Sequence, residues 1–269
     1  MGGPQDRYVI RGGAAGRERL RLLSRVMGGE TRELLDVAGI GPGDRCLDVG
    51  CGGGDVALEL ARIVGPGGSV LGVDLDAAKL DLAGAEAAQR GLRNVAFEVH
   101  DLQDWTPDGA FDAVYARFLL AHLQAPAELL RKLRQHVRPG GLAIIEDVDF
   151  RGHFAEPPCP ALDSYVALYS ESLRRRGCDP DIGPRLPALL RNAGFEDVRV
   201  RLHQPIAMAG GIKSLTGMTF EFVADALRAD GVTDDELGEI ARQLTAFLDD
   251  PHTVHGGPRV VQCWGRAPT

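Results

Sequence analysis

The sequence has few of the features that mark membrane, secreted or disulfide-bonded proteins. No apolar stretch in the 269 residues approaches the ~20 residues that a transmembrane helix requires. The amino-terminal residues lack the apolar core of a secretory signal peptide. The five cysteines are odd in number and form no C-x-x-C pair, so we expect free thiols. These absences predict a cytoplasmic protein with no membrane partner.

Positive charge is also scarce. Acidic residues number 38 against 30 basic ones, which gives a formal net charge of −8. A nucleic-acid partner would call for a basic face to match its phosphates, so we expect none. The hydrophobic fraction of 44% and the charged fraction of 25% are ordinary for a globular domain.

The most informative motif is a glycine-rich run at residues 45–55, RCLDVGCGGGD. A short apolar strand at 46–49 precedes the glycines, and apolar residues recur after them at helical spacing. Glycines at such a turn let a ligand approach the backbone, and the following helix presents its amide donors. The run therefore predicts a nucleotide-binding turn.

The kind of turn follows from its spacing. Gly50 and Gly52 fit the start of the dinucleotide motif G-x-G-x-x-G, but Asp55 stands at the last glycine position. No Lys-Ser or Lys-Thr pair follows, so the run is not a P-loop either. With the acid Asp48 ahead of its glycines, the run resembles the first motif of class I S-adenosylmethionine-dependent methyltransferases. A carboxylate suits that cofactor, whose sulfonium and ammonium groups are cationic.

Further motifs follow in the order that this family shows. Asp74 ends a second apolar strand, 24 residues after Gly50, near the offset of a ribose-binding acid. The dipeptide Asp101-Leu102 follows a third strand. A Phe-Asp-x-Val strand at 111–116 and an Arg-Pro-Gly-Gly turn complete the series. The resemblance covers residues 40–147 and extends to the ubiquinone- and menaquinone-type methyltransferases.

The resemblance implies an α/β fold, a doubly wound seven-stranded mostly parallel sheet with a helical cap over its carboxyl face. It implies S-adenosylmethionine as cofactor, S-adenosylhomocysteine as product and a small organic acceptor methylated at O, N or C in specialised metabolism. Two alternatives stay open: a quinone-ring C-methyltransferase and a non-catalytic module that binds either form of the cofactor. A nicotinamide oxidoreductase is disfavoured by Asp55.

The resemblance also implies the cofactor-binding residues. Asp74 would bind the ribose hydroxyls, Asp101 the adenine amino group, and Tyr8 would fold over the methyl donor as an amino-terminal lid. Arg117 would hold the cofactor carboxylate, or else a substrate anion or a neighbouring acid. The complete predicted set is Tyr8, Asp48, Gly50, Cys51, Gly52, Asp74, Leu75, Asp101, Leu102 and Arg117.

Three segments exceed the minimal fold. We predict an amino-terminal helical lid at 1–35 and cap insertions at 148–184 and 205–258. The cofactor-binding half would occupy 36–147, with the core continued at 185–204 and its last strand at 259–269. Long connections in a compact domain are usually lids or binding loops, which favours a small acceptor in a closed pocket.

Two histidines are the candidates for proton removal, because histidine titrates near neutral pH. His122 follows the fourth predicted strand and His153 follows the fifth. The acids Glu146, Asp147 and Asp149 alternate across the faces of their strand, so no metal site is expected. The oligomeric state is left as monomer or homodimer.

Overall fold

The structure is a computed structural model that describes residues 13–102 and 104–269. The strands of this part are β1 (Arg45–Val49), β2 (Ser69–Asp74), β3 (Val95–Val99), β4 (Phe111–Arg117), β5 (Val137–Asp149), β6 (Phe154–Glu156), β7 (Glu196–His203), β8 (Ile206–Ala207), β9 (Val254–Gly256) and β10 (Arg259–Arg266). The α-helices are α1 (Gly13–Ala38), α2 (Asp55–Val64), α3 (Ala77–Gln89), α4 (Pro126–Arg134), α5 (Pro160–Arg175), α6 (Leu186–Asn192), α7 (Gly211–Ala229) and α8 (Asp234–Asp249). Within these ranges, no helix is both long enough and apolar enough to cross a bilayer.

Seven strands form one sheet in the order β3-β2-β1-β4-β5-β10-β7. The first five are mutually parallel, while β10 runs antiparallel to both β5 and β7. This arrangement confirms the predicted fold class, and the last strand lies beside the fifth. The strand order reverses between β1 and β4, and ligands of such sheets bind at the carboxyl ends near this switch.

The sequence predicts a fifth strand at 142–146, after the Arg-Pro-Gly-Gly turn, and the strand in the structure is longer. It begins at Val137, because a register shift between its pairings with Phe111 and Ala113 admits the Arg-Pro-Gly-Gly turn into the strand. It continues to Asp149 because β10 pairs with it along that whole length. The carboxyl end of β5 therefore lies at Asp149 rather than at the predicted residue 146.

The two faces of the sheet carry separate apolar clusters. On one face α1 and α2 pack against β1, β4, β5 and β10, with Leu34 and Leu35 of α1 fully buried. On the opposite face α4 and α6 cover the alternate residues of the same strands. Both faces are buried, as a parallel sheet requires.

The residues between the core elements build a second body of helices. Helices α5, α7 and α8 share an apolar cluster of their own, in which Tyr165 meets Phe220 edge to face at 5.6 Å. A small antiparallel sheet in the order β6-β9-β8 joins the segment after β5 to the segment before β10. We propose that this body is the cap predicted at 148–184 and 205–258.

Helix α1 offers the first test of the packing. Replacing the fully buried Leu34 with Ala should lower the free energy of unfolding by about 2–5 kcal/mol, because it leaves a cavity under the sheet. Val37 lies on the same helix with 48% of its surface exposed, so Val37→Ala should change stability by less than about 0.5 kcal/mol. Urea unfolding followed by circular dichroism measures both. Equal effects would show that α1 is not docked as described.

Candidate active site

The glycine turn lies at the carboxyl end of β1. Gly50, Gly52 and Gly54 have φ angles of 67°, 55° and 75°, a left-handed region that side chains disfavour. The Cys51 amide donates to the Val73 carbonyl oxygen at 2.9 Å, which ties the turn to β2. A Cβ atom on Gly50 would come within 2.8 Å of the Leu119 side chain. Both the backbone conformation and the close packing therefore require glycine here.

Asp74, at the end of β2, is fixed against this turn. Its Oδ2 accepts a hydrogen bond from the Gly52 amide at 2.8 Å, and its Oδ1 accepts one from the Asp76 amide at 3.0 Å. The next residue, Leu75, leaves 45% of its surface exposed. The sequence separated Asp74 from the glycines by more than twenty positions, and the structure brings them into contact.

The segment after β3 is held by a lysine from α4. Lys132 Nζ donates to the carbonyl oxygens of Leu102 and Trp105 at 3.1 and 3.0 Å. The Trp105 amide in turn donates to the Asp101 carbonyl oxygen at 2.9 Å. Asp101 and Leu102 therefore lie on an anchored turn beside the end of β2. The last predicted cofactor residue, Tyr8, lies outside the described residues.

A row of polar side chains crosses the sheet beneath α1. Asp48 of β1 is paired in register with Tyr115 of β4, and Glu146 of β5 is paired with both Arg117 and Gln262. Partners in register share a face of the sheet, so these five side chains point the same way. Asp48, Glu146 and Gln262 are all almost fully buried.

Glu146 is the centre of this row. Its carboxylate accepts hydrogen bonds from the Tyr115 hydroxyl, from Gln262 Nε2 at 2.8 Å and from Thr31 Oγ1 at 2.9 Å. Arg117 Nη1 donates to the same Thr31 hydroxyl oxygen at 3.1 Å. Thr31 belongs to α1, so the network fastens the first helix to the sheet.

The charges in this row influence one another. Burial raises the pKa of Asp48 to about 7, although the nearby Arg117 opposes the shift. Burial also works against the charge of Arg117, but Tyr115, Glu146 and Asp48 outweigh it and raise its pKa. Arg117 is therefore surrounded by acidic groups, one of the alternatives that the sequence left open. Asp48 Oδ2 is buried without a hydrogen-bond partner in the described residues, which suits a cationic ligand.

Helix α1 also covers the glycine turn. The guanidinium of Arg17 bridges Asp55 at 2.8 Å and Glu86 at 2.7 Å, and its side chain is only 3% exposed. A Cβ atom on Gly52 would lie 2.9 Å from the Leu20 side chain. Neither Arg17 nor Leu20 is predicted as a site residue from the sequence. A single arginine in an amphipathic helix carries no signal of a partner 38 residues away.

His122 lies directly beyond β4, in a single 3₁₀ turn at Leu120–His122. The carboxylate of Asp147 accepts a hydrogen bond from the Ala121 amide at 3.2 Å and so fixes this turn. Burial lowers the pKa of His122 to about 4, and the positive charge of Arg19 adds to the effect. The imidazole is therefore neutral at pH 7.

His153, which directly precedes β6, lies against a histidine of β9, the central strand of the small sheet. Its ring stacks on His255 with the centroids 5.9 Å apart, and its Nδ1 lies 2.8 Å from the Phe150 carbonyl oxygen. Because a carbonyl oxygen only accepts, Nδ1 is the protonated nitrogen and Nε2 keeps its lone pair. Burial lowers the pKa of both rings to about 4. The unprotonated Nε2 of His153 can therefore accept a proton, but the lowered pKa makes the ring a weak base.

The strain at the end of β4 was also missed. Phe118 has a φ of 52°, and its amide donates to the Glu146 carbonyl oxygen at 2.8 Å. A non-glycine residue in this region costs of the order of 1–3 kcal/mol and is typical of functional sites. Across the described ranges, no group of three or more His, Cys, Asp or Glu side chains is placed to bind a metal ion.

Comparison with known families identifies the kind of domain. The family model described as a methyltransferase domain matches residues 17–200. That span includes the glycine turn, Asp74 at the end of β2, Asp101 after β3, and every residue of the polar row beneath α1 except Gln262.

Three curated relatives show how far the likeness extends. The chain is 33% identical to nocamycin O-methyltransferase of Saccharothrix syringae over 84% of its own length and 85% of that protein. It is 34% identical to phosphoethanolamine N-methyltransferase 3 of Arabidopsis thaliana over 62% of its length, but spans only 32% of that protein. It is 29% identical to a ubiquinone/menaquinone biosynthesis C-methyltransferase of Ectopseudomonas mendocina, covering 68% and 75% of the two chains.

A solved structure shares the fold. The phosphoethanolamine N-methyltransferase 2 of Haemonchus contortus, in complex with phosphomonomethylethanolamine and S-adenosylhomocysteine, superposes with a TM-score of 0.54 at 19% identity. The match covers 94% of this chain and 52% of that one. At this identity the likeness concerns the fold alone.

The buried histidines predict a specific pH dependence of stability. The pKa of His255 is about 4 in the folded chain and ordinarily 6.5, so its contribution is present above pH 6.5 and is lost as pH falls towards 4. Between pH 7.5 and 5 this single group should cost the wild type ~2 kcal/mol that His255→Gln does not lose. Urea unfolding at both pH values measures the difference.

The control is His252→Gln, because His252 is exposed on the turn just before β9, the strand that carries His255. It should leave the pH dependence of wild type unchanged. If the two variants show the same slope of stability against pH, His255 is not a buried neutral histidine. Comparing slopes removes the opposite effect of Asp48 and Asp147, whose raised pKa values favour the folded state as pH falls.

Proposed function

The chain belongs to the methyltransferase domain family, and we propose that it transfers a methyl group from S-adenosylmethionine to O, N or C of a small organic acceptor. The observation that best supports this proposal is the bond between the Asp74 carboxylate and the Gly52 amide at the switch point of the sheet. It places an acceptor-only group where two ribose hydroxyls would donate. When bound, the cofactor supplies an activated methyl group on a sulfonium.

The residues around this turn fit the cofactor. Asp48 offers a buried, unsatisfied carboxylate oxygen to the cationic end of the molecule. Leu75 exposes an apolar surface beside Asp74, which suits an adenine ring. Asp101 would accept the adenine amino group, as the family resemblance implies, on the turn that Lys132 anchors.

The acceptor is proposed to lie between the sheet and the helical body of α5, α7 and α8. The names of the curated relatives include N-, O- and C-methyltransferases, so family membership alone leaves the acceptor atom open. One of these relatives, matched over 84% of this chain and 85% of its own length, is an O-methyltransferase named for nocamycin. We therefore favour an O-methyl product of specialised metabolism over a quinone-ring product.

His122 and His153 remain our candidates for proton removal. Both imidazoles are neutral at pH 7, and the free Nε2 of His153 is the correct atom for a base. Since the leaving group is already good, positioning the acceptor and removing its proton are the main tasks left to this chain.

The first test is calorimetric titration with S-adenosylmethionine and S-adenosylhomocysteine. Asp74→Ala should weaken both by at least about tenfold, because each hydrogen bond to a charged group contributes about 1.5–3 kcal/mol. Asp81→Ala removes an exposed carboxylate from the helix that follows and should bind like wild type. Folded wild-type protein that binds neither ligand would overturn the proposed function.

The second test concerns His153. Against an acceptor found with labelled methyl donor, His153→Ala should lower kcat by about 10²–10⁴ if His153 removes a proton during the reaction. His252→Ala, an exposed histidine on a neighbouring loop, provides the matched control. A kcat within about tenfold of wild type would exclude His153 as general base and direct the same test to His122.

A further inference from the structure

One cation at the candidate site, Arg19, forms no ion pair with any acid of the described residues. Arg19 lies on α1, two residues after Arg17, with its side chain partly buried. Its Nε donates to Thr219 Oγ1 of α7 at 3.1 Å, and the Thr219 hydroxyl in turn donates to the Leu215 carbonyl oxygen at 2.7 Å. The guanidinium is thus held at a defined place between the first helix and the cap by a neutral partner.

Unlike Arg19, the neighbouring arginines of α1 form ion pairs with carboxylates. Arg17 bridges two acids, and Arg21 and Arg25 are both paired with Glu18 on the surface. Among the described residues, no carboxylate forms an ion pair with Arg19. Its Nη atoms, which carry four of the five guanidinium N–H donors, have no hydrogen-bond acceptor in this part of the chain.

The groups that feel the charge of Arg19 show which way it points. The charge lowers the pKa of His122, beyond β4, and opposes the burial that raises the pKa of Tyr165 on α5. His122 belongs to the edge of the sheet and Tyr165 to the cap. Arg19 therefore lies close enough to both groups to act on them by its charge, between the edge of the sheet and the cap.

Within the described ranges, no acid compensates the charge of this partly buried guanidinium. Thr219, Tyr165 and His122 are all neutral at pH 7. The other cation nearby, Arg117, is already surrounded by acids. An anion from outside the chain would satisfy both the charge and the free Nη donors.

We propose that the methyl acceptor carries an oxyanion, a carboxylate or a phosphate, and that Arg19 binds it. The planar guanidinium matches such a group with two parallel hydrogen bonds. This inference rests on the proposed function and narrows the acceptor to organic anions. It assigns Arg19 to binding and orienting the acceptor, whichever atom is methylated.

The test uses the protein saturated with S-adenosylhomocysteine. Ligand-observed NMR is run with a panel of aromatic and aliphatic carboxylates and phosphate monoesters, each beside its neutral amide or alcohol. We expect wild type to bind anionic members and not their neutral partners. Comparison of the carboxylate and phosphate arms identifies which oxyanion the site prefers. Arg19→Gln should weaken anion binding by about 10–100-fold, the effect of losing charged hydrogen bonds.

Two further variants separate charge from structure. Arg19→Lys keeps the positive charge but loses the planar guanidinium that forms two parallel hydrogen bonds. It should therefore restore part of the anion binding. Arg25→Gln removes a surface arginine of the same helix, which is 64% exposed, and should bind anions like wild type. All variants should bind S-adenosylhomocysteine as wild type does, which shows that the fold and the proposed cofactor site are intact.

The inference would be overturned by a wild type that does not prefer anions to their neutral partners. It would also be overturned by anion binding that survives Arg19→Gln unchanged. Either result, with binding of S-adenosylhomocysteine retained, leaves the proposed function standing. If wild-type protein does not bind S-adenosylhomocysteine, the proposed function and this inference are both overturned.

Discussion

The position of the first helix depends on one buried carboxylate. Glu146 receives hydrogen bonds from β4, from β10 and from Thr31 of α1, so it joins three elements that are far apart in the chain. A buried charge of this kind is tolerated only when such donors surround it. Because Thr31 is fixed there, the preceding turns of α1 lie along the carboxyl edge of the sheet. Arg17 then reaches Asp55 and Glu86, and Leu20 closes over Gly52.

The same helix distributes the positive charge of the site. Arg17 and Arg117 face acids and are compensated within the chain, whereas Arg19 faces neutral groups. Burial keeps the imidazoles of His122 and His153 uncharged, so they add no further positive charge. In a chain with a net charge of −8, Arg19 is therefore the residue at this edge to which we assign the binding of an anion.

The core of the fold could be predicted from the sequence because its signals are local. Strand, glycine turn and helix follow one another within about twenty residues. Asp74 ends the next recognisable strand, and Asp101 follows the one after it. The contacts of α1 could not be predicted, because Arg17 and Thr31 meet partners that lie 38 to 115 residues away. The extension of β5 was missed for a related reason, since its length is set by pairing with β10, near the end of the chain.

The contact between the two long insertions, 148–184 and 205–258, could not be predicted from the sequence either. β6 and β9 are three residues each, too short to be recognised, yet they bring His153 beside His255. The helices that they join have an apolar cluster separate from both clusters of the sheet. Such a body can change its side chains without disturbing the sheet, which fits a family whose named members methylate nitrogen, oxygen and carbon.

Helix α1 packs against both the sheet and α7, with Leu34 in one cluster and Leu23 in another. Arg19 reaches from α1 to Thr219 of α7, so its proposed role is to contact the acceptor while its helix is held by the core.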